Sequence, residues 1–422
     1  MTLNRRRFTA LAGAATAAGM IGLPSIARGA RPKVVVIGGG AGGATMARYL
    51  AKDSDGGIDV TLIEASKRYY TCFFSNLYLG EFRDYATIGH GYDTLATTYG
   101  INVVHDWAVG VDASAKTVTL ASGATLGYDH LVLSPGIDMK YDSVPGYSVE
   151  AQTRMPHAWK SGTQIQILKA QVEAMPEGGT FIMVAPPNPY RCPPGPYERI
   201  SMVASLLSAK NPTGKILVLD PKEKFSKQGL FMEGWETHYP GMVEWIPASM
   251  SGGVLKVDPE TMEIETDLET FKADAATVIP AQKAGRIAEL AGVTDGDWAP
   301  IDPASMRSKA DENITVLGDA SVASAMPKSG FSANSQAKAA ANIVRSELTG
   351  SRAFPARYQN TCWSLIAKND GVKVGATYEA GAEKIEAVDK FISQTGESED
   401  VREATYQESE GWYAGITADM FS

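Results

Sequence analysis

The sequence predicts an α/β protein with two Rossmann-like dinucleotide-binding domains, the first interrupted by the second, and a C-terminal domain. Three observations predict it. A strand, glycine turn, helix, strand and acid follow one another in "KVVVIGGGAGGATMARYL" and "DVTLIEAS". A second pair of buried-strand runs, "GGTFIMVAPP" and "KILVLDPKEKF", brackets the helical stretch "YERISMVASLLSAK". Two further strand-and-turn pieces, "YDHLVLSPGI" and "NITVLGDAS", lie about 180 residues apart, so an insert separates two parts of one domain. At 422 residues the chain exceeds a single hydrophobic core. The expected boundaries are 31–150 with 281–350 for the first domain, 151–280 for the insert and 351–422 for the C-terminal domain.

Residues 1–30 stand apart. "NRRRFTALAGAATAAGMIGLPSIARGA" has a basic start and then an uncharged stretch from Thr9 to Ile26. With Arg5, Arg6 and Phe8 in place, it reads as a twin-arginine export signal, which carries folded proteins to the periplasm. Asn4 replaces the usual Ser or Thr before the pair. Removing this segment takes away four arginines and no acids, leaving 35 basic against 48 acidic residues, a net charge of −13. Such a chain repels nucleic acid and anionic lipid, and a partner that docks on charge would present a basic patch. No later segment has the 18 or more apolar residues that span a bilayer, so no membrane insertion is expected.

In the first unit, Gly38, Gly40 and Gly43 satisfy G-x-G-x-x-G. The first permits the tight turn, the second lets the backbone approach a pyrophosphate, and the third lets helix and strand pack closely. Glu64, 21 residues after Gly43, would accept hydrogen bonds from a ribose diol. The turns at Gly136 and at Gly318-Asp319 select FAD for this site. In proteins with two dinucleotide domains such turns flank the flavin nucleotide, with the Asp319 carboxylate on the ribityl chain. The helix "SANSQAKAAANIVRSEL" would then aim its positive N-terminus at the ring.

The insert lacks the second glycine turn. After "TFIMVAPP" comes "NPYRCPPGPYER", whose only glycine is Gly195. Prolines fix the backbone and remove N–H donors, so no pyrophosphate cradle can form there. A nicotinamide electron source is therefore disfavoured.

Cys72, Cys192 and Cys362 are the three cysteines. In an exported chain an odd count points to one disulfide and one cysteine with another job; an inert buried thiol remains the alternative for each. No C-x-x-C-H occurs, so any haem sits on a partner chain, and metal-ligand spacing is absent.

Together "KVVVIGGGAGGAT", "YYTCFFSN", "SPGI", "RCPPGPYER", "FSKQ", "LGDAS", "MPKSGFSANSQAK" and "NTCWSL" resemble the flavoprotein subunit of flavocytochrome c sulfide dehydrogenase, over essentially the whole mature chain. The resemblance implies the disulfide-reductase flavoprotein type of fold, with a C-terminal interface domain facing a c-type cytochrome. It implies FAD bonded through its 8α-methyl to Cys72, and a redox disulfide between Cys192 and Cys362. Hydrosulfide would attack that disulfide, leaving a persulfide on Cys192 and a thiolate on Cys362. Two electrons would pass to the flavin and then singly to the partner's haem. The stiff proline loop would hold the Cys192 sulfur in line for attack.

Three residues carry open alternatives. Glu198, six residues after Cys192, is a candidate proton-handling group or a simple first-turn acid. Lys328 could offset negative charge on a reduced flavin or be a surface lysine. Trp412 could pack near the flavin and its electron exit or be ordinary core. The alternative function is a sulfide:quinone oxidoreductase, which would need a membrane-binding segment. The acidic tail "EKIEAVDKFISQTGESEDVREATYQESE" is a poor match for one.

Overall fold

The run Val34–Ile37 is apolar on every residue, which suits a strand covered on both faces. In the computed structural model, which describes residues 30–160 and 162–422, Lys33–Ile37 is the central strand of a five-stranded parallel sheet. The strand order is Ile314–Val316, His130–Leu133, Lys33–Ile37, Asp59–Ile63, Asn102–Val104. Val34 pairs with Val60 on one side and His130 on the other. The sheet thus joins residues from the two ends of the chain, with Val34, Val36, Leu62, Leu131 and Val316 buried. Helices Ala41–Asp53 and Gly330–Thr349 pack together over it.

A second parallel sheet holds four strands in the order Val243–Pro247, Lys215–Asp220, Thr180–Val184, Ala275–Val278. The helix Gly195–Lys210 follows the proline loop, and Phe181, Ile200, Val203 and Ile216 bury beneath it. The third layer is a three-stranded antiparallel sheet, Arg357–Ala367, Asp370–Ala380 and Ile385–Ile392, covered by the C-terminal helix Glu399–Phe421. Arg402, buried, anchors that helix to Glu233 (3.0 Å), Asp370 (3.1 Å) and Glu397 (3.3 Å). Pro32–Ser422 form one compact unit. The twin-arginine signal falls on residues that, apart from Ala30, lie outside the described ones. Among the described residues, no helix is long and apolar enough to cross a membrane.

The glycine turn shows why its residue types are needed. Gly38 has φ +98°, and a Cβ there would sit 2.3 Å from the Ser134 carbonyl oxygen. A Cβ on Gly43 would sit 1.8 Å from the Gly38 carbonyl oxygen. Gly43→Ala is expected to force strand and helix apart at a cost of about 1–3 kcal/mol or more. The purified variant should lose most of its flavin, read as the ratio of visible to protein absorbance. A variant with full flavin content would show that the turn tolerates the shift.

Candidate active site

The site is a trench along the C-terminal ends of the first sheet. At one end Glu64 lines a cavity with Gly38, Tyr69, Trp107 and Arg286. The middle section is lined by Gly38, Gly40, Glu64, Cys72, Gly136, Arg191 and Asp319. The far end is lined by Cys72, Arg191, Cys192, Glu198, Cys362 and Trp412. Gly38, Glu64 and Tyr69 belong to the first two sections, while Cys72, Phe73 and Arg191 belong to the last two. The three sections therefore form one line that starts at a ribose-type acid and ends at a pair of cysteines.

The residues present fit FAD. Glu64 is fixed by the Gly39 amide on Oε2 (2.8 Å) and the Ser66 amide on Oε1 (2.9 Å). Asp319 is part-buried and its buried Oδ1 accepts no hydrogen bond, leaving an acceptor beside the cavity for a polyol hydroxyl. Burial pushes its carboxyl up, while Arg191 (Nη1–Oδ2 3.7 Å) and Lys328 pull it down. The helix Gly330–Thr349 starts beside the trench, its first turn capped by the Ser329 hydroxyl.

Lys328 requires a correction. It does not line the trench: its ammonium donates to the carbonyls of Asp319 (2.7 Å) and Ser321 (2.8 Å) and lies 3.7 Å from the centre of the Trp298 ring. Burial pushes it down to about 8. Its work is to clamp the Gly318-Asp319 turn. Arg191, beside Cys192 in sequence, is a cation shared by the middle and cysteine sections, with Lys160 on the middle one and Arg199 on the cysteine one. A lysine in "PKSG" and an arginine before the cysteine are indistinguishable as candidates until the backbone is folded.

The proline loop consumes its own amides. Arg191 N donates to Gln282 Oε1 (2.9 Å), Cys192 N to the Lys328 carbonyl (2.7 Å) and Gly195 N to the Cys192 carbonyl (2.8 Å). None of these is free for a pyrophosphate. Cys192 itself sits at φ +57°, a left-handed conformation that non-glycine residues rarely adopt and that clusters at functional sites. Trp159 packs at the same turn: a Cβ on Gly195 would touch both its ring (2.8 Å) and the Cys192 sulfur (2.9 Å).

All three cysteines are free thiols, so the expected Cys192–Cys362 disulfide is not formed in this structure, although both residues line one cavity. Burial pushes both thiols up. Cys72 sits where the middle and far sections meet, in the turn between strand Arg68–Tyr70 and helix Ser75–Leu79. Glu198 accepts from Asn76 Nδ2 (2.9 Å) and from Leu365 N (3.1 Å), and burial pushes its carboxyl up. Trp412 lies among Trp363 (5.3 Å between rings), Phe73 (5.5 Å), Phe74 (6.0 Å) and Phe331 (6.0 Å), an aromatic wall on the cysteine section.

Sequence reasoning missed Asn76, Arg191, Arg199 and Lys227. Arg191 and Arg199 sit inside "RCPPGPYER" and Lys227 inside "FSKQ", so the strings held them. Only the fold supplies their partners.

Three family models match the chain. Residues 165–280 match the sulfide dehydrogenase [flavocytochrome c] flavoprotein chain, central; residues 354–421 match the flavocytochrome c sulphide dehydrogenase, flavin-binding model. Residues 32–175 match pyridine nucleotide-disulphide oxidoreductase. The sulfide dehydrogenase [flavocytochrome c] flavoprotein chain of Chlorobaculum thiosulfatiphilum is 54% identical over 44 residues, 10% of this chain and 90% of that relative. The chain belongs to the flavocytochrome c sulfide dehydrogenase flavoprotein family. A sulfide-quinone reductase of Aquifex aeolicus (strain VF5) is 34% identical over 104 residues, only 24% of either protein's length. For this family member the solved sulfide:quinone oxidoreductase of Aquifex aeolicus gives a TM-score of 0.69 at 16% identity, covering 92% of both chains. The NAD-dependent persulfide reductase of A. fulgidus gives 0.62 at 17% identity, covering 89% of this chain and 77% of that one. These likenesses establish the disulfide-reductase flavoprotein type of fold.

Proposed function

We propose that this flavoprotein oxidises hydrosulfide through a Cys192–Cys362 disulfide and delivers the electrons to a c-type cytochrome. The observation that carries the reading is that two cysteines 170 positions apart line one cavity, continuous with a dinucleotide trench. Bound FAD would supply a two-electron acceptor able to release electrons singly. The turn from Gly38 to Gly40 would take its pyrophosphate, with Gly43 packing the helix close behind it, Glu64 its ribose and Asp319 its ribityl chain, and Gly136 lines the same section. Cys72, at the junction of the sections, is the residue for a covalent 8α link.

Hydrosulfide is largely ionised near neutral pH and needs no base to attack. Its sulfur forms a bond to Cys192 Sγ as the Cys192–Cys362 bond breaks, leaving a persulfide on Cys192 and both bonding electrons on Cys362. The strained turn at Cys192 fixes the sulfur under attack. Glu198, whose pKa burial raises, would in its carboxylate form accept the proton that the persulfide gives up. Export to the periplasm on the twin-arginine signal, with the cytochrome meeting the C-terminal domain, completes the proposal.

The test is direct. Sulfide should bleach the oxidised flavin rapidly and NADH should not; rapid bleaching by NADH would replace this reading with a pyridine-nucleotide reductase. After acid precipitation the yellow colour should stay with the parent protein and leave with Cys72→Ser. Colour retained on the denatured variant would sink the covalent assignment.

A further inference from the structure

Cys362 must carry a negative charge once the disulfide opens, and the structure buries it. Two neighbours answer that need. Asn360 lies two residues earlier on the same strand, hence on the same face, and is also buried. Its Nδ2 is 3.4 Å from Cys362 Sγ, closer than its Oδ1 at 3.9 Å. That places a donor towards the sulfur, as a thiolate requires. In this orientation Oδ1 accepts from the Ser329 hydroxyl, whose oxygen in turn accepts from Ser332 N and caps helix Gly330–Thr349.

Lys227 is the second neighbour. It sits at φ +62° at the start of helix Gln228–His238 and its ammonium is buried. The ammonium donates to the Cys362 carbonyl (2.9 Å), Ser364 Oγ (2.8 Å) and the Val372 carbonyl (3.3 Å). All three acceptors are neutral, and Lys227 makes no ion pair with a carboxylate among the described residues. A buried ammonium held only by neutral groups is costly unless an anion forms beside it.

We propose that Lys227 and Asn360 are positioning residues that hold the Cys362 sulfur as the thiolate left when hydrosulfide opens the disulfide. The inference rests on the sulfide-oxidising reading and names the groups that make Cys362 the leaving sulfur and Cys192 the one attacked. Four ionisable groups face Cys362: Lys227 from the turn before its helix, Glu198 from helix Gly195–Lys210, Cys192 from the proline loop and Tyr378 from the neighbouring strand. Burial pushes the Cys362 thiol up; the Asn360 hydrogen bond, the Lys227 charge and Ser329 pull it down, and Glu198 opposes them. Cys192 is pushed up by burial and by Cys362, Glu198 and Cys72, while Arg191, Arg199 and Lys227 act in the other direction. Lys227 is itself lowered to about 8 by burial, with Cys362 the first group holding it up.

The experiment uses flavin-loaded full-length protein whose thiols have been reduced. Iodoacetamide pulses between about pH 6 and pH 10, followed by peptide mapping, give the thiolate fraction at Cys362 and Cys192 separately. Lys227→Met and Asn360→Ala should each slow Cys362 alkylation at neutral pH by about tenfold or more, one unit of displacement towards high pH. Cys192 should change less than Cys362, because Lys227 is coupled to it more weakly, and Lys227→Arg should restore the parent profile. Unchanged Cys362 profiles in both variants would overturn the proposal, since a merely structural role would move stability and flavin content instead. Should Lys227→Met not fold, Asn360→Ala decides alone. A parent protein that does not oxidise sulfide would overturn the functional reading, while alkylation, which needs neither sulfide nor an electron acceptor, would still decide whether Lys227 and Asn360 hold the Cys362 thiolate.

Discussion

Replacing either Cys192 or Cys362 by serine is expected to slow sulfide-dependent flavin reduction by at least about a thousandfold, the scale seen when a covalent nucleophile or its partner is removed. The flavin should remain attached, because Cys72 and the glycine turn are untouched. Both variants should also stay folded. Cys192 lies in a loop whose main-chain bonds do not involve its sulfur, and the strand holding Cys362 pairs through its backbone from Arg357 to Ala367. Stopped-flow absorbance of the flavin band under anaerobic sulfide reads the rate. Parent-like rates in both variants would mean that hydrosulfide reaches the flavin directly and that the proline loop is only a scaffold. Non-reducing peptide mapping of the air-oxidised parent should find the two cysteines joined.

Arg199→Met should destabilise the fold by about 1–3 kcal/mol or more, the cost of leaving buried acceptors without their donor. The Arg199 guanidinium is 1% exposed and stacks on the Trp159 ring at 4.8 Å. It donates to the carbonyls of His157 (2.7 Å) and Ala158, to Thr277 Oγ1 (3.1 Å) and to Asn76 Oδ1 (3.3 Å). Methionine fills much of the same volume but leaves these acceptors buried without donors. Asn76 also holds Glu198, so the variant should lose sulfide turnover beyond its loss of stability. Urea unfolding followed by flavin fluorescence measures the first effect. A change below about 1 kcal/mol would mean that water replaces the guanidinium there.

Much of this protein is written in short-range sequence. The apolar run at 34–37, the three glycines and Glu64 carry their meaning locally, because a tight turn and a close approach to phosphate depend on residues a few positions apart. The absent second glycine turn is equally local: prolines at 186, 187, 189, 193, 194 and 196 exclude an amide cradle whatever surrounds them. Cys72, Cys192 and Cys362 stand out as candidates from their odd number, and the motifs around them carry the resemblance that implies their roles.

Other assignments depended on distance in space. That Cys192 and Cys362 share a cavity follows from packing the three-stranded sheet against helix Gly195–Lys210, a contact no spacing encodes. Lys328 and Arg191 depended on distance for the same reason: the Lys328 ammonium is held by the Asp319 and Ser321 carbonyls, while Arg191, which the sequence did not single out, lines the trench. In the sequence Glu198 reads equally as a proton-handling group or a first-turn acid, and Lys227 is one unremarked lysine inside "FSKQ". Burial decided their charge, because the cost of ionisation depends on what surrounds a group in three dimensions and hardly at all on its neighbours along the chain.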